Sequence, residues 1–162
     1  MKTPTVAGFK PQSPRNGFTL VELVVVVLVL GIIAAVAAPK MFDTADQAKE
    51  SSAATLAAIV RDHINLYYAV NGAYPDTIDP ASFRGPLKNP FDPDNPNFAI
   101  NGGATTYVYP SLKTLPRLYA CWYNKVNGQF MVRVPVQESD AATIDLFNRV
   151  NGTAVTSLSQ TN

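Results

Sequence analysis

The sequence predicts an α+β chain. A long, kinked N-terminal helix spans a membrane in its first half and packs its second half on a small antiparallel sheet. Three observations predict this. Phe18 to Ala38 is apolar almost throughout, with Glu22 as its only charged residue. From Met41 to Val70, small and apolar residues recur at spacings of 3 and 4. Further on, Asn127-Gly128 separates two runs rich in β-branched and aromatic residues, a strong hairpin signal.

The chain has 162 residues and a formal net charge of +1, so no basic field draws it to nucleic acid. Residues 1–17 hold Lys2, Lys10 and Arg15 and no acidic residue. The 13 basic residues less those three leave 10 against 12 acidic ones. The single cysteine, Cys121, excludes an intrachain disulfide.

As a helix, Phe18–Ala38 covers about 30 Å, the thickness of a bilayer's hydrocarbon core. Val24–Val27 would suit a strand in water, but a lone strand in lipid leaves its backbone groups unpaired, so the helix is preferred. The basic residues precede the span, which keeps the N-terminus cytoplasmic. Three readings fit the segment. A secretory signal peptide would explain the basic start and Ala35-Val36-Ala37 as a cleavage site, but its apolar region is normally shorter and uninterrupted. A plain single-pass anchor would explain the length and leave Glu22 as a cost of a few kcal/mol. The third reading gives the carboxylate a partner.

Gly17-Phe18-Thr19-Leu20-Val21-Glu22 resembles the processing site of type IV prepilins and of the pseudopilins of type II secretion systems. The resemblance implies a pilin fold and a structural filament subunit. It makes residues 1–17 a prepilin leader peptide, 18–38 the transmembrane and assembly helix, and 39–71 its amphipathic continuation. Prepilin peptidase would cut after Gly17 and methylate the new amine on Phe18. Glu22 would then pair with the N-terminal amine of a neighbouring subunit. An ammonium and a carboxylate that neutralise each other can reside in an apolar core and set a register. Gly31 and Pro39 stand where this family often has a helix-weakening glycine and a proline, so Gly31–Pro39 is expected to bend or partly unwind on assembly. The implied partners are the peptidase, other pilin or pseudopilin subunits and a membrane assembly platform. The implied location is the bacterial inner membrane, single-pass, before the filament.

The helix is expected to continue to Val70 with a stripe of Met41, Ala45, Ala48, Ser52, Leu56, Ile59, His63, Leu66 and Val70, and to stop at Asn71-Gly72. Eight of the 13 prolines fall in 72–116, which reads as a proline-rich connecting region. Tyr74-Pro75 and Asn89–Pro96 resemble the end of the helix and the aromatic-proline loop of major pseudopilins, with Phe91 in place of the family's tryptophan. Thr105–Tyr109 reads as a short strand. Residues 117–152 hold the hairpin, Leu118–Asn124 with Gln129–Val134, and a C-terminal element. In the hairpin Phe130, Val132 and Val134 form one apolar face, and Pro135 ends the second strand. Asp140–Val150 reads as a helix with Ser139 as cap and Asn151-Gly152 as stop. Residues 153–162 read as a flexible tail.

No catalytic constellation is visible: one His, one Cys, no phosphate loop, no metal-ligand spacing. His63 and Cys121 are expected to pack in a core or interface. A deep pocket gathering His63 with two carboxylates would support an anchored enzyme instead. Asp92 and Asp94 are calcium candidates, set against an ordinary solvated turn; otherwise no cofactor is expected. Asn151-Gly152-Thr153 is a glycosylation sequon that reads equally as a helix stop. Tyr107, Tyr109, Tyr119, Trp122 and Tyr123 could stack bases, but basic residues do not interleave them, so no nucleic acid is expected. The functional reading is therefore a subunit of a secretion pseudopilus or a pilus-like filament. The alternative is a minor pilin serving as a binding, adhesion or DNA-uptake module.

Overall fold

The structure, a computed structural model, describes residues 17–83, 87–95, 98–101, 107–115 and 118–162. Its elements are α1 (Leu20–Asn71), a 3-10 turn (Pro80–Ser82), β1 (Phe98–Asn101), β2 (Thr114–Leu115), β3 (Cys121–Asn124), β4 (Gln129–Val132), β5 (Val134–Pro135) and α2 (Asp140–Asn151). The chain divides into two units, Met1–Phe42 and Asp43–Asn162.

In the first unit α1 begins at Leu20 and stays helical through Gly31 and Pro39. Pro39 lacks the N–H that would close the turn on Ala35, so one backbone bond is absent there. Leu20–Ala38 is long and apolar enough to cross a membrane, and none of it is buried within the chain. Side chains such as Leu23, Leu28 and Ile32 stand about 60% exposed, which water would penalise and lipid or neighbouring helices would not.

In the second unit α1 runs to Asn71. Gly72 follows in the left-handed region (φ 71°), where it donates its N–H to Tyr68 O. Ala53, Leu56, Ala57, Val60 and Ile64 form the buried stripe. The expected stripe shares only Leu56 with it: Ile59, Leu66 and Val70 are exposed. Two interleaved rows at the same 3–4 spacing are both apolar here, so periodicity marks a helix but not which row meets the core.

β3 and β4 form the expected antiparallel hairpin, with Cys121 opposite Val132 and Asn124 opposite Gln129. Gly128, at φ 73°, donates to Asn124 O across the turn. Tyr74 lays its ring against this glycine where a Cβ would stand. β1 joins β3 in parallel, giving the order β1-β3-β4. β2 and β5 pair in parallel as a separate ribbon. Three strand expectations are corrected. Residues 107–109 are not strand, and 105–106 lie outside the described residues. The first hairpin strand begins at Cys121, not Leu118. Pro135 does not close the second strand: β4 ends at Val132, and Pro135 belongs to β5.

The hairpin is also not amphipathic. Trp122, Met131 and Arg133 are buried along with Tyr123, Phe130 and Val132. Asn124 shares the Trp122 face, and its side chain donates to Tyr107 O (3.0 Å), so the proline-rich connection covers that face. A covering loop leaves no period in the strands it covers.

α2 has the expected caps. Ser139 Oγ accepts from Ala142 N–H, and Gly152 takes the left-handed cap position. Thr143, Leu146, Phe147 and Val150 are buried. The segment 153–162, expected to be flexible, is packed instead. Val155 is buried, and Asn148 holds it with a pair of hydrogen bonds, from Val155 N–H (2.9 Å) and to Val155 O (3.0 Å). Thr161 O accepts from Val108 and Tyr109 N–H.

Candidate functional site

Gly17, Phe18 and Thr19 precede α1 in non-helical backbone. Thr19 is the N-cap and Glu22 lies three residues on. Thr19 N–H (2.9 Å) and Thr19 Oγ1 (2.8 Å) both donate to Glu22 Oε2, and Glu22 N–H donates to Thr19 Oγ1 (3.2 Å). This is a capping box, in which the cap and the third helical residue satisfy each other's backbone donors. It places a negative charge at the positive end of the helix dipole. Both Thr19 donors converge on Oε2, so Oε1 lies outside the box. The signal Thr-x-x-Glu stands in the sequence at 19–22, and the reading of Glu22 as a group without a local partner missed it.

Phe18 is 84% exposed. A Cβ placed on Gly17 would meet nothing within 4 Å, and the same holds for Gly31. Among the described residues, no packing therefore requires glycine at either position. A need for Gly17 would come from whatever reads the site. The side chain of Pro39 lies outside the described set.

The remaining candidates separate. Cys121 is buried, and burial pushes its thiol up to about 12, so it stays protonated and unreactive. His63 lines a groove of about 290 Å³ with Tyr67, Asp76, Thr77, Asp79 and Ser82. This gathers a His with two carboxylates, the arrangement that would favour an enzyme, but not the relay that chemistry needs. Asp76 is tied to Lys125 at 2.8 Å, which lowers its pKa, and the His63 ring packs on Phe83 at 4.7 Å. Among the described residues no hydrogen bond joins His63 to a hydroxyl or a carboxylate.

Asp92 and Asp94 sit in a turn closed by Asn95 N–H to Asp92 O, and Asp92 Oδ2 accepts from Asn95 Nδ2 at 3.1 Å. Among the described residues no group of three His, Cys, Asp or Glu could hold a metal ion. Trp122 and Tyr123 are buried and pack the sheet, whereas Tyr107 and Tyr119 stay exposed, so the five aromatics do not form one face. Asn151 is also buried. Its amide donates to Val132 O and Phe147 O and accepts from Val132 N–H, which makes it a helix stop inaccessible to glycosylation.

Residues 12–38 match the family described as the prokaryotic N-terminal methylation motif. The chain is 40% identical over 63 residues to the type II secretion system core protein G of Pseudomonas aeruginosa, covering 39% of this chain and 44% of the relative. It is 38% identical over 75 residues to the type IV major pilin protein PilE1 of Neisseria gonorrhoeae, covering 46% and 35%. It is 28% identical over 93 residues to the core protein G of Vibrio cholerae, covering 57% and 62%. The chain thus spans less than two thirds of each of these relatives. No solved structure matches it.

Proposed function

We propose, from a chain that carries the prokaryotic N-terminal methylation motif and has type II secretion core proteins and type IV pilins among its relatives, that it is a structural subunit of a secretion pseudopilus or a pilus-like filament. The observation that carries this reading is the first turn of α1. An exposed apolar helix of membrane length starts just after Gly17-Phe18 and bears Glu22, whose Oε2 takes both Thr19 donors while Oε1 stays outside the box.

In this reading prepilin peptidase removes residues 1–17 on the cytoplasmic side of the inner membrane and methylates Phe18. The amine created there is the cation that Glu22 lacks. Pairing across subunits neutralises both charges inside an apolar core, where either alone would be costly. Head-to-tail packing of identical subunits gives an open helical filament. The exposed apolar side chains of Leu20–Ala38 exchange lipid for neighbouring helices in that step, so close packing and the charge pair, not escape from water, hold the subunits together. Catalysis and energy belong to the peptidase and the assembly platform, and the chain itself needs no cofactor for this role. Tyr74-Pro75 and the Asn89–Pro96 segment favour the pseudopilus over the pilus.

Gly17→Ala tests the cleavage assignment cleanly, because among the described residues the added methyl meets no atom within 4 Å. The expected product is a full-length, unmethylated protein in the membrane. Normal maturation of the variant would remove Gly17 from the recognised site.

A further inference from the structure

We propose that Lys113 is an internal cation clasp that straps the C-terminal segment onto the rest of the head, the unit Asp43–Asn162, its ammonium filling a cage of backbone carbonyls. Lys113 is 1% exposed. Its ammonium donates to Pro110 O (3.0 Å), Leu158 O (2.9 Å) and Gln160 O. Those are its three donors, all used. It also lies 5.9 Å from the centroid of the Phe147 ring, within reach of a cation–π contact.

A lysine is almost never this buried unless a carboxylate pairs with it. Here the hydrogen-bond partners are three neutral backbone carbonyls, two of them on the tail. Burial holds the ammonium below its ordinary pKa range, so the site is an expensive one that the carbonyl cage makes tolerable. The tail contributes more than these two oxygens. Thr161 O takes Val108 and Tyr109 N–H, and Gln160 Oε1 takes Thr156 N–H, so residues 156–161 fold back over the 107–113 segment.

A ring of carbonyl oxygens is also the donor set of a hard metal cation. An ammonium on the chain's own side chain fills it without a free ion and without dependence on ion concentration. With Cys121 as its only cysteine, the chain has no disulfide to close the same loop. The clasp is therefore expected to ignore both chelators and reductants. It stands on the head alone and does not rest on the filament reading.

The test uses the full chain in detergent micelles, read by hydrogen exchange and by carboxypeptidase trimming. Lys113→Met keeps the apolar stem and removes the donors. Exchange at Val108 and Tyr109 N–H should then rise on the order of tenfold or more, with the tail trimmed, while Phe130 and Val132 keep their protection. EDTA and dithiothreitol should leave the unmodified protein unchanged in both readouts. Equal tail protection in Lys113→Met, or release of the unmodified tail by EDTA, would overturn the clasp. Should Lys113→Met fail to fold, the Lys113 ammonium can be followed by 15N NMR in the unmodified protein. A slowly exchanging signal resolved from the surface lysines is expected, and a fast-exchanging one refutes the proposal.

Discussion

Glu22 has two tasks in this account, and two substitutions separate them. Glu22→Gln keeps an amide oxygen for Thr19, and glutamine is a normal partner in a capping box, so the start of the helix survives. What it loses is the charge. Thr19→Val does the reverse: it keeps the carboxylate and removes the Oγ1 bonds at 2.8 and 3.2 Å. Losing an N-cap side chain costs about 1 kcal/mol. Losing one member of a buried ion pair costs about 3–5 kcal/mol, because the other charge stays buried and unpaired. At about 1.4 kcal/mol per factor of ten, the charge loss should lower subunit association by a hundredfold or more, and the cap loss by less than tenfold.

Both variants should insert and be processed, since neither changes Gly17 or Phe18 and neither adds a charge to the apolar run. The assay compares filament protein sheared from cells with protein left in the membrane. Glu22→Gln should remain in the membrane, whereas Thr19→Val should still yield filaments at a reduced level. Wild-type filament levels from Glu22→Gln would refute the intersubunit charge pairing and leave the capping box as the residue's whole role.

Other consequences concern the head. Gly128→Ala forces an L-residue to φ 73° and drives a Cβ into the Tyr74 ring, so thermal unfolding should show a loss of about 2–4 kcal/mol. Adding Tyr74→Ala should recover the steric part only, and no coupling between the two changes would refute the contact. Arg149 pairs with Glu50 on α1 and Asp145 on α2 at an exposed site, so Arg149→Ala should cost no more than about 1 kcal/mol in the same melt. Tyr123 donates its hydroxyl to Pro75 O, and burial pushes its pKa from 10.0 up to about 12. The folded state therefore holds this proton more tightly than the unfolded state. Its stabilising effect is full below pH 10 and is lost as pH rises to about 12, a window that Tyr123→Phe should remove from the alkaline unfolding curve. Alkylation of Cys121 at pH 8 should be negligible until the protein unfolds; prompt labelling of the folded protein would contradict its burial.

Features that depend on local chemistry were legible in the sequence. Membrane length is a count of apolar residues. The caps of α2 are Ser139 and Gly152, residue types with a specific backbone task. The Asn-Gly turn and the stop at Gly72 follow the same logic. The capping box at Thr19–Glu22 has the same kind of local signature, Thr-x-x-Glu at a helix start. What could not be read depends on chain that returns from far away. Which row of α1 meets the core is decided by the sheet. The second face of the hairpin is dry because a loop with no period of its own covers it. Residues 153–162 have the composition of a tail, yet Val155 and the Lys113 cage hold them. The pairing of β2 with β5 joins two-residue strands, too short to leave a pattern.

N-terminal sequencing with intact mass, on protein taken from native membranes, bears on the whole assembly argument at once. The account predicts a chain beginning at methylated Phe18. A chain beginning at Ala38 would mean that signal peptidase had released the head, and an intact Met1 would leave a plain anchor; either result contradicts the filament reading.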